Sequence, residues 1–249
     1  MTKNEFNTIC FVWILVALAA FILLQFVTAP YGRHTQKGWG IEISNKWGWI
    51  IMELPSFLIM LYFCVISKSN AYSYFLFGLW LIHYFNRTFI FPLRIKTKGK
   101  RMPLVIAGSA ILFNGVNASL NGYYLCYLST FDIGDFMNTN FLLGILLFFT
   151  GFIINQKSDD YLIKLRKPGE SGYKIPNGWL FEYVSCPNHL GEVIQWAGFA
   201  LIAYNYAALS FLIWTLANLV PRAIKHHRWY QEKFPEYPSK RKALIPWLI

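Results

Sequence analysis

The sequence is short of charged residues. Asp, Glu, Lys and Arg make up 14% of its 249 residues, whereas soluble domains carry about 25%. Aromatic residues instead reach 19% and hydrophobic residues 55%. No polar stretch is long enough to bury a core of its own. The composition excludes an ordinary soluble domain and predicts an all-α integral membrane protein that forms a single domain over residues 1–249.

Familiar cofactor and metal motifs are also missing. The four cysteines form no C-x-x-C pair, so we predict neither a disulfide framework nor a metal site. No G-x-G-x-x-G or Walker loop occurs, and the alternation of βαβ units is absent. A nucleotide cofactor would therefore have to be held by helices and loops. The basic residues are spread over loops beside apolar runs, which argues against nucleic acid as a partner.

Long apolar runs are what the sequence has instead. A membrane-spanning helix needs about 20 apolar residues. Candidate runs fall near 8–29, 47–67, 71–92, 103–127, 139–155 and 189–220. The last run has no Lys or Arg over its 32 residues, which is too long for one span. We interpret it as a helical hairpin that turns near Asn205, which gives seven spans, and the first run as a retained helix.

The distribution of positive charge favours seven spans. With the hairpin in place, 20 of the 23 Lys and Arg residues fall on one side of the membrane, in segments 30–46, 93–102, 156–188 and 221–249. Cytosolic loops carry such an excess, so these segments and the C-terminus are predicted to be cytosolic. Six spans would divide the cations more evenly. The net charge of +11 would also attract a polyanionic cofactor or anionic lipid.

Three ionisable residues lie inside apolar runs, namely Glu53, Arg87 and Glu192. Such groups are costly in a membrane and usually face an interior cavity. Pro55 follows Glu53 closely and bends its helix, which either opens a pocket or only serves packing. Glu53 and Arg87 could also simply pair and hold two helices together. The His, Tyr and Asn residues just before Arg87 favour a functional site.

Polar residues recur at helical spacing near the basic side of the membrane. They form three stripes: Asn155, Asp159 and Arg166; Asn188 and Glu192; and Arg222, His226 and Tyr230. Any one stripe could be a solvated helix face, but three at one membrane face predict the walls of a single site. The last stripe also fits an amphipathic anchor on anionic lipid.

Several motifs resemble the membrane steroid 5α-reductases. The resemblance covers almost the whole chain and is strongest over residues 155–249, which include RKPGE, NHLGEVIQW and RAIKHHRWY. Earlier matching motifs are ELPSF at 53–57, HYFNRTF at 83–89 and LNGYYL at 120–125, and ELPSF, HYFNR and RKPGE together narrow the match to this family. The tail alone also resembles membrane reductases of polyprenols and enoyl thioesters, and more loosely isoprenylcysteine methyltransferases.

The resemblance to steroid 5α-reductases implies a seven-helix membrane enzyme that uses NADPH. It would reduce the Δ4 carbon–carbon double bond of a 3-oxo-Δ4 steroid. Residues 1–128 would mainly form the substrate pocket, and residues 129–249, with the cytosolic loops and C-terminus, the cofactor site. We expect a monomer whose partners are membrane lipid and a steroid or other lipophilic enone. It would lie in the endoplasmic reticulum of a eukaryote or the inner membrane of a bacterium.

The resemblance also implies roles for individual residues. Glu53 and Tyr84 would donate hydrogen bonds to the steroid ketone, and burial favours the protonated Glu53 that can donate. The implied cofactor residues are Arg87, Lys100, Asn155, Asp159, Arg166, Tyr173, Asn188, Glu192, Arg222, His226 and Tyr230. The family has an arginine where this sequence has Ser109, which leaves the surroundings of the ketone open. A transporter or lipid-binding protein is the non-enzymatic alternative, since buried polar groups also mark transport pathways.

Overall fold

The computed structural model describes residues 1–28, 30, 32–34, 38–96, 99–165 and 172–249. Arg166, one of the predicted cofactor residues, lies outside this part of the chain. The described residues form eight α-helices and two short strands. These are α1 (Lys3–Phe26), β1 (Glu42–Ser44), α2 (Asn45–Ile66), α3 (Ala71–Phe85), α4 (Phe91–Arg94), β2 (Arg101–Pro103), α5 (Leu104–Tyr123), α6 (Thr139–Lys164), α7 (Pro187–Ala203) and α8 (Tyr206–Lys233).

Five helical segments of the described chain are long and apolar enough to cross a membrane: α1, α2, Leu104–Leu128, α6 and α8. Their outward faces are apolar, as a lipid environment requires. On α1, for example, Phe11, Leu23 and Phe26 are 56%, 60% and 82% exposed. The prediction of an α-helical membrane protein is therefore confirmed. Helices α3 and α7 have only 15 and 17 residues, so the count of seven spans stays a prediction.

The predicted break near Asn205 is confirmed. Helix α7 ends at Ala203 and α8 begins at Tyr206. The side-chain oxygen of Asn205 accepts a hydrogen bond from the backbone amide of Ala208 at 3.0 Å. This bond satisfies one of the amides that a helix start leaves without a partner. The Lys- and Arg-free run of the sequence is thus two helices.

The chain divides into two compact units. The first unit comprises Met1–Val12, Ala29–Leu142 and Ala203–Leu209. The second unit comprises Trp13–Thr28, Leu143–Ile202 and Ser210–Ile249. Each unit has its own buried aromatic residues, such as Trp80 in the first and Trp196 in the second.

In the first unit, a short antiparallel β-ladder fixes where α2 and α5 begin. Glu42 pairs with Pro103 and Ser44 with Arg101, and each strand leads directly into its helix. The backbone amide of Asn45 also donates to the carbonyl of Lys100 at 3.0 Å. Helices α2 and α5 therefore start at the same end of the unit. The ladder joins the predicted loop segments 30–46 and 93–102 at residues 42–44 and 101–103. The cytosolic side of these segments stays a prediction.

In the second unit, glycines bring the backbones of α6 and α7 into direct contact. A Cβ atom at Gly151 would lie 2.4 Å from the carbonyl oxygen of Gly191, and one at Gly198 would lie 2.5 Å from that of Gly144. Real Cβ atoms do not approach this closely, so these positions exclude any side chain. Each helix carries its two glycines seven residues apart, which is one face over two turns.

The C-terminal segment of the second unit is held by a buried arginine. Arg241 is 1% exposed and donates to the carbonyl of Pro176 at 2.8 Å and to the side-chain oxygen of Asn177 at 2.7 Å. The backbone beside it is tied as well, since the amide of Ser185 donates to the carbonyl of Lys242 at 2.8 Å. The arginine therefore joins the segment before α7 to the end of the chain.

An Arg241→Met variant is expected to be less stable by about 3 kcal/mol, because two hydrogen bonds from a charged donor contribute ~1.5 kcal/mol or more each. Thermal unfolding of the purified protein in detergent micelles measures this loss. Lys240→Met is the control, since Lys240 is the exposed neighbouring cation. An equal loss in both variants would contradict the assignment.

Candidate active site

Glu53, Tyr84 and Arg87 lie together in the first unit. The guanidinium of Arg87 is 3.7 Å from a carboxylate oxygen of Glu53, and the two side chains are 10% and 13% exposed. The Tyr84 hydroxyl donates to the side-chain oxygen of Asn114 at 3.4 Å. The Asn114 amide nitrogen is in turn 3.5 Å from the second carboxylate oxygen of Glu53. These four residues form one buried polar cluster, called the Glu53 cluster below.

Local helix geometry places Tyr84 and Arg87. Tyr84 is 4% exposed, and its ring stacks on Trp80 at a centroid distance of 5.2 Å. A π-helical turn, Asn86–Ile90, follows α3 directly. Such turns are rare and often occur at functional sites. The Arg87 guanidinium then lies over the rings of Trp49 and Phe91, at 4.7 Å and 4.5 Å, where cation–π attraction offsets part of its desolvation.

The sequence left two interpretations of Glu53 and Arg87, an ion pair that joins two helices and a functional site, and the structure has features of both. The pairing of the two residues is present at 3.7 Å. The cluster is nevertheless larger than an ion pair, because Tyr84 and Asn114 extend it with a phenol and an amide. A pair that only joined two helices would not need these groups.

Asn114 is the residue of the Glu53 cluster that sequence reasoning missed. It lies in α5 and is 4% exposed. A signal was present, because Asn114, Asn117 and Asn121 recur at i, i+3 and i+7 inside an apolar run, which is one helix face. Ser109, where the resemblance implies an arginine, lies in the same helix. Its hydroxyl donates to the carbonyl of Ile106 at 2.9 Å, and the residue is exposed.

A second polar cluster lies in the second unit, where α6 meets α7. The Asn155 amide donates to the carbonyl of Asn188 at 3.0 Å and lies 3.5 Å from a carboxylate oxygen of Glu192. The Asn188 amide donates to Asp159 at 3.2 Å. Asn155 and Asp159 are 1% and 6% exposed. The described polar residues of two predicted stripes therefore form one cluster, called the Asn155 cluster below.

The glycine contacts explain why the Asn155 cluster forms. A Cβ atom at Gly191 would lie 2.5 Å from the backbone nitrogen of Asn155. Asn188 and Glu192, three residues before and one after this glycine, are thereby brought within hydrogen-bond reach of α6. Helix α6 continues to Lys164, which keeps Asp159 on the same stripe as Asn155.

The third predicted stripe runs along α8 in the second unit. Tyr230 is 2% exposed and stacks on Tyr237, with the ring centroids 5.1 Å apart and nearly parallel planes. His226 is buried, with its ring 5.7 Å from that of His189. The ring of Tyr173 packs edge-on against Trp229 of the same helix at 5.0 Å. Arg222 is partly buried one turn before His226.

Tyr237, which supports Tyr230, is itself fixed by Ser185. The Ser185 hydroxyl lies 2.7 Å from the Tyr237 hydroxyl and 2.6 Å from Nδ1 of His227. Burial raises the pKa of the Tyr237 phenol, so this residue stays a neutral hydrogen-bond partner at physiological pH. Tyr230 of the α8 stripe therefore packs against a hydrogen-bonded group of side chains that the sequence did not indicate.

The two remaining predicted cofactor residues, Arg87 and Lys100, belong to the first unit. Arg87 contacts Glu53. Lys100 is exposed in the turn before β2, and its backbone carbonyl accepts the amide of Asn45. A role for either residue in cofactor binding stays a prediction.

Chemically, the Glu53 cluster offers a phenol, a carboxyl group and an amide at one buried place. The phenol, and the carboxyl group in its protonated form, donate hydrogen bonds that stabilise negative charge that develops on an oxygen atom. The Asn155 cluster offers two carboxylates and two amides, which suit hydroxyl and amide donors of a polar ligand. The α8 stripe adds Arg222, whose guanidinium suits phosphate.

Comparison with known proteins gives consistent matches. A family model described as 3-oxo-5-alpha-steroid 4-dehydrogenase matches residues 100–249. The steroid 5-alpha-reductase DET2 of Solanum lycopersicum is 40% identical over 99% of this chain and 98% of its own length. The 3-oxo-5-alpha-steroid 4-dehydrogenase 1 of Mus musculus is 40% identical over 94% of this chain and 93% of its own.

A third relative extends the match to another form of the enzyme. The 3-oxo-5-alpha-steroid 4-dehydrogenase 2 of Macaca fascicularis is 39% identical over 94% of both chains. These alignments include the segments of the Glu53 cluster as well as the matched C-terminal region. The resemblance to steroid 5α-reductases seen in the sequence motifs is therefore confirmed, and the chain belongs to the 3-oxo-5-alpha-steroid 4-dehydrogenase family.

Proposed function

We propose that this protein reduces the Δ4 carbon–carbon double bond of 3-oxo-Δ4 steroids to 5α-3-oxosteroids, with NADPH as the reductant. The observation that carries the proposal is the Glu53 cluster. A phenol and a carboxyl group, joined by the Asn114 amide, lie buried among apolar helices. This is the chemistry that a conjugated ketone in a lipid-soluble molecule needs.

The reaction depends on stabilising charge at the ketone oxygen. A conjugated ketone accepts hydride at its β-carbon only if the negative charge that reaches its oxygen is stabilised. Tyr84 donates through its hydroxyl, and Glu53 donates through its carboxyl group in the protonated form. Preorganised donors of this kind contribute about 3–4 kcal/mol each to lowering the barrier. The resulting enolate is then protonated at its α-carbon by a proton from solvent, which completes the two-electron reduction.

The residues of the second unit fit a reduced dinucleotide. Asp159 and Glu192 suit ribose hydroxyls and the carboxamide, because carboxylates accept such hydrogen bonds. Asn155 and Asn188 supply amides that both donate and accept. Arg222 suits the phosphates, with His226, Tyr173 and Tyr230 beside it on or against α8. When bound, NADPH supplies the hydride for the β-carbon.

Three further assignments complete the proposal. The chain crosses the membrane seven times, with its basic loops and C-terminus in the cytosol. Residues 1–128 mainly bind the steroid, and residues 129–249 mainly bind NADPH. The protein works as a monomer surrounded by lipid. The distribution of Lys and Arg supports the orientation, and the β-ladder between segments 30–46 and 93–102 supports their common side.

Turnover by the purified protein in lipid nanodiscs tests the proposal. We expect NADPH oxidation with testosterone or progesterone and a product two mass units heavier. The control is the matching 3-hydroxy-Δ4 steroid, which lacks the conjugated ketone and should not react. Polyprenols, enoyl thioesters and S-adenosylmethionine test the alternatives. Turnover of a polyprenol or enoyl thioester, or binding of S-adenosylmethionine, with no 3-oxo-Δ4 steroid reduced would overturn the proposal.

A further inference from the structure

The side chain of Asn114 makes hydrogen-bond contacts with two neighbouring helices of the first unit. Its amide nitrogen donates to the backbone carbonyl of Met52 at 2.6 Å and lies 3.5 Å from the Glu53 carboxylate. Its side-chain oxygen accepts from the Tyr84 hydroxyl at 3.4 Å. The residue thus contacts α2 through its nitrogen and α3 through its oxygen.

The bond to Met52 fixes which way the Asn114 amide points. A carbonyl oxygen can only accept, so the nitrogen of the amide must face Met52 and its oxygen must face Tyr84. The carbonyl of Met52 in α2 therefore sets the orientation of the Asn114 amide.

We infer that Asn114 is a positioning residue that acts through Tyr84, an inference that rests on the proposed function. A phenol O–H rotates about its C–O bond unless an acceptor holds it. Asn114 supplies that acceptor and keeps the Tyr84 hydroxyl on the side of α3 that faces Glu53. At 3.4 Å this hydrogen bond is long and weak, so a ketone oxygen can replace it when the steroid binds.

Positioning of this kind has a consequence for the Tyr84 phenol. Asn114 lies 3.4 Å from the Tyr84 oxygen and 3.5 Å from the Glu53 oxygen, so the hydrogen bond that it accepts keeps the phenol near Glu53 and within reach of the same ketone oxygen. Without it, the phenol would turn towards other acceptors, and the two donors would no longer converge. Displacement of a catalytic group by about 1 Å typically lowers the reaction rate ~100-fold.

A double-mutant cycle between Asn114 and Tyr84 tests the inference. Asn114→Leu keeps the branched shape and the number of heavy atoms of the side chain, and it removes both hydrogen-bonding atoms. We expect kcat to fall about 30-fold in the wild-type background but less than about 3-fold in a Tyr84→Phe background, because coupled residues are not additive. The dissociation constant for NADPH, measured by fluorescence, should change less than about 3-fold in either background.

Asn121→Leu is the matched control. Asn121 lies two turns further along α5, is 2% exposed, and donates to the backbone carbonyls of Asn117 and Ala207 at 3.0 Å and 3.4 Å. It is expected to lower stability, with kcat falling by the same factor in both backgrounds. Asn114→Ala, which introduces no additional atoms, repeats the cycle if the leucine variant does not fold.

The outcomes separate the inference from the proposed function. An equal loss of kcat in both backgrounds would make Asn114 a merely structural residue and overturn the inference alone. An unchanged kcat in Asn114→Leu would do the same. If the wild-type protein reduces no 3-oxo-Δ4 steroid, the proposed function fails and the inference fails with it.

Discussion

A Glu53→Gln variant is expected to lose about 100- to 1,000-fold in kcat, the effect of removing one donor from an oxyanion site. Glutamine keeps the shape of the side chain, but its amide is a far weaker acid than a carboxyl group and stabilises enolate charge less. The affinity for NADPH should be unchanged, because the predicted dinucleotide residues of the second unit are untouched. Single-turnover rates with testosterone, together with NADPH titration, measure both quantities.

The contact between Glu53 and Arg87 supplies the control for this result. If the pair only joins helices, Glu53→Gln harms the protein by leaving the Arg87 charge buried and unpaired. Removing that charge as well, in a Glu53→Gln/Arg87→Gln double variant, should then restore kcat at saturating NADPH, a condition that offsets weaker cofactor binding from the loss of Arg87. If Glu53 acts on the ketone, the double variant stays as impaired as the single one. Recovery of activity in the double variant would therefore refute the catalytic role.

Much of the fold was predictable because apolar runs report helices directly. The run at 139–155 predicted α6, and the absence of Lys and Arg over 189–220 predicted α7 and α8 with a turn near Asn205. The β-ladder was not predictable, since its strands have three residues each. Such short segments show no alternation and form only because two loops meet at the ends of α2 and α5.

Some residues of the candidate sites were likewise predictable from the sequence, and others were not. An ionisable residue inside an apolar run, such as Glu53, stands out in the sequence. Its burial in a membrane costs free energy, which indicates a functional role. Asn114 does not stand out, since a single asparagine in a helix is common and its role depends on a carbonyl of another helix. The π-helical turn beside Tyr84 also has no simple sequence pattern. Both features depend on tertiary contacts that a linear pattern does not encode.

Gly191→Ala is expected to weaken NADPH binding by about 100-fold, through backbone displacement rather than loss of a ligand-binding group. The added Cβ would lie 2.5 Å from the backbone nitrogen of Asn155 and 2.7 Å from the carbonyl of Gly151. Neither atom belongs to a flexible side chain, so α6 and α7 must separate. Asn155 would then lose its contacts with Asn188 and Glu192. The loss should appear in NADPH titration of the folded variant.

The matched control is Gly198→Ala, two turns further along the same face of α7. Its added Cβ would lie 2.5 Å from both the carbonyl of Gly144 and the backbone nitrogen of Phe148, so its overpacking cost is comparable, about 1–3 kcal/mol. It lies away from the Asn155 cluster, however, and should weaken NADPH binding less than about 10-fold. Gly108→Ala, at an exposed position of α5 where an added Cβ has nothing within 4 Å, should lower neither the stability nor the affinity for NADPH. Equal losses of affinity in Gly191→Ala and Gly198→Ala would mean that general loosening of the helix pair, rather than the Asn155 cluster, controls cofactor binding.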